Sequence, residues 1–266
     1  MKAFRSKGIV LWSIVIFDLL LLSLPTIIII GASFTRGDIV QFPPDGFSLK
    51  WYSKLWLLED FKTAFFRTFY VSAICTVVSI PAGTLAAIGL ARYRIRFEKS
   101  LQVYLLLPFT IPLVVSGLGM MIYFGELRIL GQLWPVGISL CIINIPFMIW
   151  AVSASVGGLD PQLENAAANC GASPLQAFLT VTLPGVMPGV ITGALLMFIL
   201  AFNEFLVSLF LTDARTVTLP VSIYNSIRSV ITPDLAAVSV VYIIIAFFAV
   251  LLLDKLVGLE LFLKSK

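Results

Sequence analysis

Few residues in this chain are equipped for chemistry, and those few stand out against an apolar background. Within the run Ile199-Leu-Ala-Phe-Asn-Glu-Phe-Leu-Val207 lies a polar pair, Asn203 and Glu204. A carboxylate near the centre of a membrane helix costs roughly 2.5 to 3.5 kcal/mol on an insertion scale. Neighbouring Leu, Ile, Phe and Val residues return about 0.3 to 0.6 kcal/mol each, so the run still inserts. Survival does not explain the charge. Intramembrane carboxylates usually face a bundle interior or an aqueous cavity, which makes Glu204 a candidate lining of a solute path; the alternative is a bond to a neighbouring helix. Asp18, inside another apolar run, reads as a structural pairing.

A second constellation spans residues 160–174. Asp160-Pro161 is an N-cap followed by a first-turn proline, Gly171 suits a left-handed terminator, and Ser173-Pro174 opens another helix. Ala166, Ala167 and Ala168 leave one flank small enough for another protein to approach closely. A helix, a glycine turn and a second helix make a rigid docking knob; a surface hairpin without a partner is the competing reading. Other chemistries lack ligands. Histidine is absent, and Cys75, Cys141 and Cys170 are far apart with no CxxC, so no zinc, haem or disulfide framework is expected. No G-x-x-x-x-G-K-[ST] loop is present, so the chain is expected to bind no nucleotide or other cofactor and to draw energy from a partner.

The elements that must position these residues are membrane helices. Hydrophobic residues make up 59% of the 266, charged ones only 12%, and the mean hydropathy is +1.03, more apolar surface than a soluble core of this size could hide. Lipid is therefore the solvent. Six spans are expected, at Gly8–Ala32, Thr68–Ala91, Leu101–Gly125, Leu133–Val156, Val186–Leu211 and Ala236–Val257. Unpaired backbone groups are excluded from lipid, so runs of this length are helices. Gly8–Ala32 exceeds a signal-peptide core of about 7 to 15 residues and matches the roughly 20 that a span needs.

Lys2, Arg5 and Lys7, then Arg92, Arg94, Arg96 and Lys99, then Lys255, Lys264 and Lys266 all fall on one side, which should be cytoplasmic and hold both termini. The run 92–99 reads as a membrane anchor. Dispersed basic residues and a net charge of +4 argue against nucleic acid as a partner. On the other face, Ser33 to Lys62 carries Phe47, Trp51, Tyr52 and Trp56 and reads as a lid along the headgroup level. Among the prolines, Pro108 and Pro112 are the expected hinges. With no linker or composition shift, residues 1–266 read as one transmembrane domain, with an outer loop at 33–62 and a cytoplasmic loop at 157–185.

The stretch Glu164-Asn-Ala-Ala-Ala-Asn-Cys-Gly171, nine residues, then Val181-Thr-Leu-Pro184 resembles the EAA loop of ABC importer permeases, E-A-A-x-x-x-G, nine residues, I-x-L-P. Counting back from Gly171, the family's glutamate position holds Asn165, with Glu164 one residue earlier. Phe47-Ser-Leu-Lys-Trp-Tyr52, Leu106-Leu-Pro-Phe-Thr-Ile-Pro112 with Ser116-Gly-Leu118, and Thr218-Leu-Pro-Val-Ser-Ile-Tyr224 through Thr232-Pro-Asp234 are similar to the second permease of spermidine/putrescine-type importers.

The resemblance implies an all-α type I importer permease in the bacterial inner membrane. It implies a second permease, two ATPase subunits holding ATP and Mg, and an extracytoplasmic substrate-binding protein as partners. Glu164, Asn165, Ala166, Ala167 and Gly171 would couple to the ATPase, and a low-affinity substrate path would pass Glu204, Asn203 and Tyr224. Polyamine permeases carry an acidic pair where this chain has Asn203-Glu204, so one carboxylate is lost here. Aminophosphonates, other amines and ferric iron travel on the same scaffold in related branches. A secondary transporter would show an inverted repeat or paired broken helices, and no repeat is found. A non-transporting scaffold would leave Glu204 unexplained.

Overall fold

A computed structural model describes residues 2–55, 59–93, 96–229 and 232–257. The expectations for Trp56, Arg94, Lys264 and Lys266 fall outside the described residues. The elements are α1 (Lys2–Ser33), α2 (Lys50–Leu55), α3 (Glu59–Arg92), α4 (Glu98–Thr110), α5 (Leu113–Glu126), α6 (Leu133–Gly158), α7 (Gln162–Asn169) and α8 (Pro174–Ala177). A π-turn (Phe178–Thr182) leads into α9 (Leu183–Phe202), followed by α10 (Leu206–Leu211), α11 (Leu219–Ser229) and α12 (Pro233–Val257). Among the described residues the only β pairing is one antiparallel bridge between Thr35 and Phe47.

Among the described residues four helical stretches, Leu11–Ser33, Glu59–Arg92, Leu133–Gly158 and Pro174–Phe202, are long and apolar enough to cross a membrane. The pair α4 and α5, bent by 90° at residues 111–112, adds a fifth if taken as one span. α12 occupies the position of the sixth expected span.

The chain divides into two compact units, residues 1–62 with 223–245 and residues 63–222 with 246–266. In the first, Leu11–Ser33 keeps its apolar side chains outward, with Trp12 and Leu22 66% and 75% exposed, as a helix that is apolar all round does in lipid. The segment after it is fastened back on itself. Trp51 Nε1 donates to Thr35 O at 2.7 Å, Ser33 Oγ and the Tyr52 hydroxyl lie 2.6 Å apart, and Phe34 packs against the rings of Phe47 and Tyr52. Trp51 is thus buried against its own segment, its indole N–H bonded to a carbonyl. The last four residues of the expected outer loop, 59–62, form the first turn of α3.

In the second unit α6 and α9 form the most extensive helix pair, around the buried Met148, Val152, Val186, Val190 and Met197. The span expected over Leu101–Gly125 is not one helix. Pro112 has no N–H to extend the ladder and pushes the residue before it out of helical geometry, and Ile111 is extended at φ −76°, ψ 134°. The last ladder bond is Ile111 N to Leu107 O. Of the two expected hinge prolines, Pro108 lies inside α4 and Pro112 at the break.

Candidate functional site

The span expected over Val186–Leu211 also stops and restarts, and its polar pair is the reason. α9 ends at Phe202; Asn203 N–H makes the regular helical bond to Ile199 O at 3.1 Å, Asn203 Nδ2 adds a second donor to the same carbonyl at 2.8 Å, and Glu204 N–H drops back to Ala201 O at 3.3 Å in place of continuing the ladder. Glu204 then turns its carboxylate onto the start of α10. Oε1 accepts from Val207 N at 2.7 Å, and Oε2 accepts from Ser208 N and Ser208 Oγ at 3.0 Å each. Short polar side chains that compete for backbone groups end helices in this way, and a carboxylate suits a helix start. Glu204 is therefore half-buried and engaged with the backbone, whereas Asn203 is exposed.

α10 packs on α5, the segment beyond the other break. The approach is close: a Cβ on Gly117 would lie 2.7 Å from Phe210 Cδ2, so any side chain there would have to displace the Phe210 ring. The loops that follow are also joined, with Gly131 N–H donating to Leu211 O at 3.1 Å. Next to it, Asp213 accepts from Thr216 Oγ1 and Arg215 N, and these bonds, the hydroxyl's first, hold its carboxyl below the usual carboxylate range. Tyr224 belongs to the other compact unit, on α11, where the Arg228 guanidinium lies 5.7 Å from its ring centroid.

In the loop between α6 and α9, local capping builds what the sequence anticipates. Asp160, two residues before α7 and one before the N-cap position at Pro161, accepts from Gln162 N on Oδ1 at 2.9 Å. Gly171 takes φ +87°, with Gly171 N to Ala168 O and Ala172 N to Ala167 O closing α7 in a Schellman arrangement. Ser173 and Gln176 exchange side-chain bonds as a capping box that opens α8. No residue of α7 is buried; Leu163, Asn165, Ala166 and Asn169 face outward and Ala167 is half-buried.

Glu164 differs. It turns inward, accepting from Thr182 Oγ1 at 2.9 Å and lying 3.4 Å from Arg92 Nη2, so the exposed polar residue at the family's glutamate position is Asn165. Sequence reasoning missed Arg92, Thr182 and Ser208 as partners. Ser208, four residues after Glu204, was the one signal available, since that spacing faces a side chain on the same side of a helix.

Among the described residues no cluster of His, Cys, Asp and Glu could hold a metal ion, and Cys75 and Cys141 are buried while Cys170 is exposed.

Residues 79–259 match the family described as the inner membrane component of binding-protein-dependent transport systems. The chain is 27% identical over 240 residues to the putrescine transport system permease protein PotI of Escherichia coli K12, covering 86% of this chain and 84% of that one. It is 25% identical over 231 residues to the spermidine/putrescine permease PotC of Haemophilus influenzae, covering 87% and 90%. It is 32% identical over 206 residues to the molybdenum permease ModB of Mycobacterium bovis, covering 71% and 77%. Among solved structures, a bacterial alginate ABC transporter superposes with a TM-score of 0.72 at 19% identity, over 97% of this chain and 95% of that one. The methionine ABC transporter MetNI superposes with a TM-score of 0.62 at 18% identity, over 77% and 96%. These matches, over most of an all-helical apolar chain, settle the family: the chain belongs to the inner-membrane components of binding-protein-dependent transport systems, as a multi-pass ABC importer permease and not an enzyme.

Proposed function

We propose that this permease forms half of a pore for a polyamine, working with a second permease, two ATPase subunits that hold ATP and Mg, and an extracytoplasmic binding protein. The observation that carries the cargo reading is the likeness to putrescine and spermidine/putrescine permeases over 86–87% of the chain. A half-buried carboxylate at the break between α9 and α10 is compatible with it, because a fixed negative charge in low dielectric replaces part of the water a cation loses. Asn203, exposed beside it, belongs to the path in this reading, and Tyr224, in the other compact unit, is proposed as a separate contact for the same cargo. A second reading, an oxyanion cargo, is favoured by the 32% identity to a molybdenum permease, but Glu204 would repel such a cargo.

Coupling runs through α7 in this proposal. Asn165, Ala166 and the Gly171 turn present the outward surface that the ATPase receives, and Glu164 and Ala167 back it from within. Both termini lie in the cytoplasm, the same side as the docking loop.

The test is uptake by the reconstituted complex of putrescine, spermidine and molybdate side by side. Putrescine or spermidine uptake that depends on ATP and on the binding protein is expected; molybdate uptake alone would replace the cargo reading. Gly171→Pro, which forbids φ +87°, and Ala167→Trp should abolish uptake while leaving membrane insertion intact. Wild-type uptake in both would overturn the docking role.

A further inference from the structure

Arg92 closes α3 at the head of a basic run that reads, in sequence, as a lipid anchor. Its side chain is not presented to headgroups. It is 17% exposed, its Nη2 donates to Leu159 O at 3.1 Å and lies 3.4 Å from Glu164 Oε1, and its Nε is buried. The same Glu164 oxygen accepts from Thr182 Oγ1, the last residue of the π-turn. Three elements therefore meet at one carboxylate oxygen: the end of α3, the first turn of α7, and the entrance to α9.

The meeting matters because of how α7 is held. None of its residues is buried, so core packing does not fix it. Covalent ends and polar links do, and Glu164 supplies the link to a span distant in sequence. A half-buried charge pair, with its partners desolvated on one side, holds geometry better than an exposed one. A knob tied only at its ends would swing about them; a knob tied also to α3 passes displacement on.

We propose that Arg92 is a positioning residue for energy coupling: it ties the docking helix to the second span, so that movement of α7 reaches α3 directly as well as α9 through Thr182. This rests on the reading of α7 as the ATPase's docking helix, and it gives Glu164 an internal task in place of an ATPase contact.

The experiment uses the complete reconstituted transporter, with a spin label on the exposed native Cys170 and putrescine as the transported probe. Arg92→Gln is expected to lower uptake per assembled complex about ten-fold, within the range usual for coupling between sites. ATP hydrolysis should fall less, so that more ATP is spent per molecule transported, and the label at Cys170 should become more mobile. The exchange Arg92→Glu with Glu164→Arg should recover both readouts in part. Arg92→Lys, which keeps the charge but not the planar fork, should fall between and serves if Arg92→Gln fails to assemble.

A purely structural Arg92 predicts lower complex yield with unchanged uptake per complex, unchanged label mobility and no rescue by the exchange, and that result would overturn the proposal. If instead ATP leaves the Cys170 label of the wild-type complex unchanged, the docking reading itself fails. The label's mobility in Arg92→Gln without ATP still decides whether Arg92 holds α7.

Discussion

Two apolar runs of this chain are broken, and they are broken by opposite means. Between α4 and α5 the break is made by subtraction: Pro112 withholds a donor, and no side chain caps the helix that follows; Pro112 O itself accepts from Val115 N and Ser116 N. Between α9 and α10 the break is made by addition, with Asn203 bonded to the carbonyl behind and Glu204 to the amides ahead. A break by subtraction leaves a bend whose two arms are held by what they pack on. A break by addition holds its own geometry. Because α5 and α10 pack together, the self-held break supports the other.

The largest effect should come from prising those two segments apart. Gly117→Leu has no room beside Phe210 and should destabilise the permease by about 1 to 3 kcal/mol, read as a lower unfolding midpoint in detergent. An unchanged midpoint would mean that α5 and α10 do not support one another. Next, Glu204→Ala removes the cap and should cost about 0.5 to 2 kcal/mol in the same assay. Glu204→Gln keeps one acceptor oxygen but turns an NH2 toward a backbone N–H, so it should lose part of that stability and still assemble; a sharp loss of uptake per assembled complex in this variant would separate a cargo role from the cap. Were the alanine variant as stable as wild type, the added bonds would be idle.

Pro112→Ala returns one backbone donor and should favour a straighter pair by about 1 kcal/mol, the net value of one hydrogen bond. Labels at Gln102 and Tyr123 would then move apart, and a fixed separation would show that packing alone sets the 90° bend. The smallest effect concerns the turn beyond α10. Because the hydrogen bonds from Thr216 and Arg215 depress the Asp213 carboxyl, their contribution is present above the ordinary aspartate value and is lost as pH falls through the lower folded value. Asp213→Asn should flatten a slight acid-side decline in stability; an unaltered acid limb would remove Asp213 from the account. Sidedness can be checked alongside: an impermeant thiol reagent should label a cysteine placed at Ser48 from outside and native Cys170 only from the cytoplasm.

What the sequence made legible was governed by near neighbours. Asp160, Gly171 and Ser173 act on backbone groups within a few residues, so the helix, turn and helix between α6 and α9 could be read directly. Pro112 was legible as a hinge, but not as a right-angle stop, since the angle depends on what α4 and α5 meet. Asn203 and Glu204 drew attention for their charge and polarity, and the same side chains proved to bond the backbone, a choice that sequence leaves open. Arg92 was hidden most completely, because its partner Glu164 lies beyond α6. Trp51 was legible as an aromatic of the outer segment, but its acceptor, Thr35 O, lies sixteen residues back and was not.

The π-turn at Phe178–Thr182 has a consequence for how this chain tolerates changes of length. Its bonds reach one residue farther along the chain than those of an α-turn, so it accommodates a surplus residue without turning the helices on either side. Deleting one residue from it leaves an ordinary α-turn, with α8 and α9 still facing as before. Deleting one residue from the middle of α9 would instead rotate everything beyond by about 100° and shorten it by about 1.5 Å, carrying Asn203 and Glu204 off their present side of the helix. The entrance to α9 is thus the place where this permease can lose a residue and keep its register.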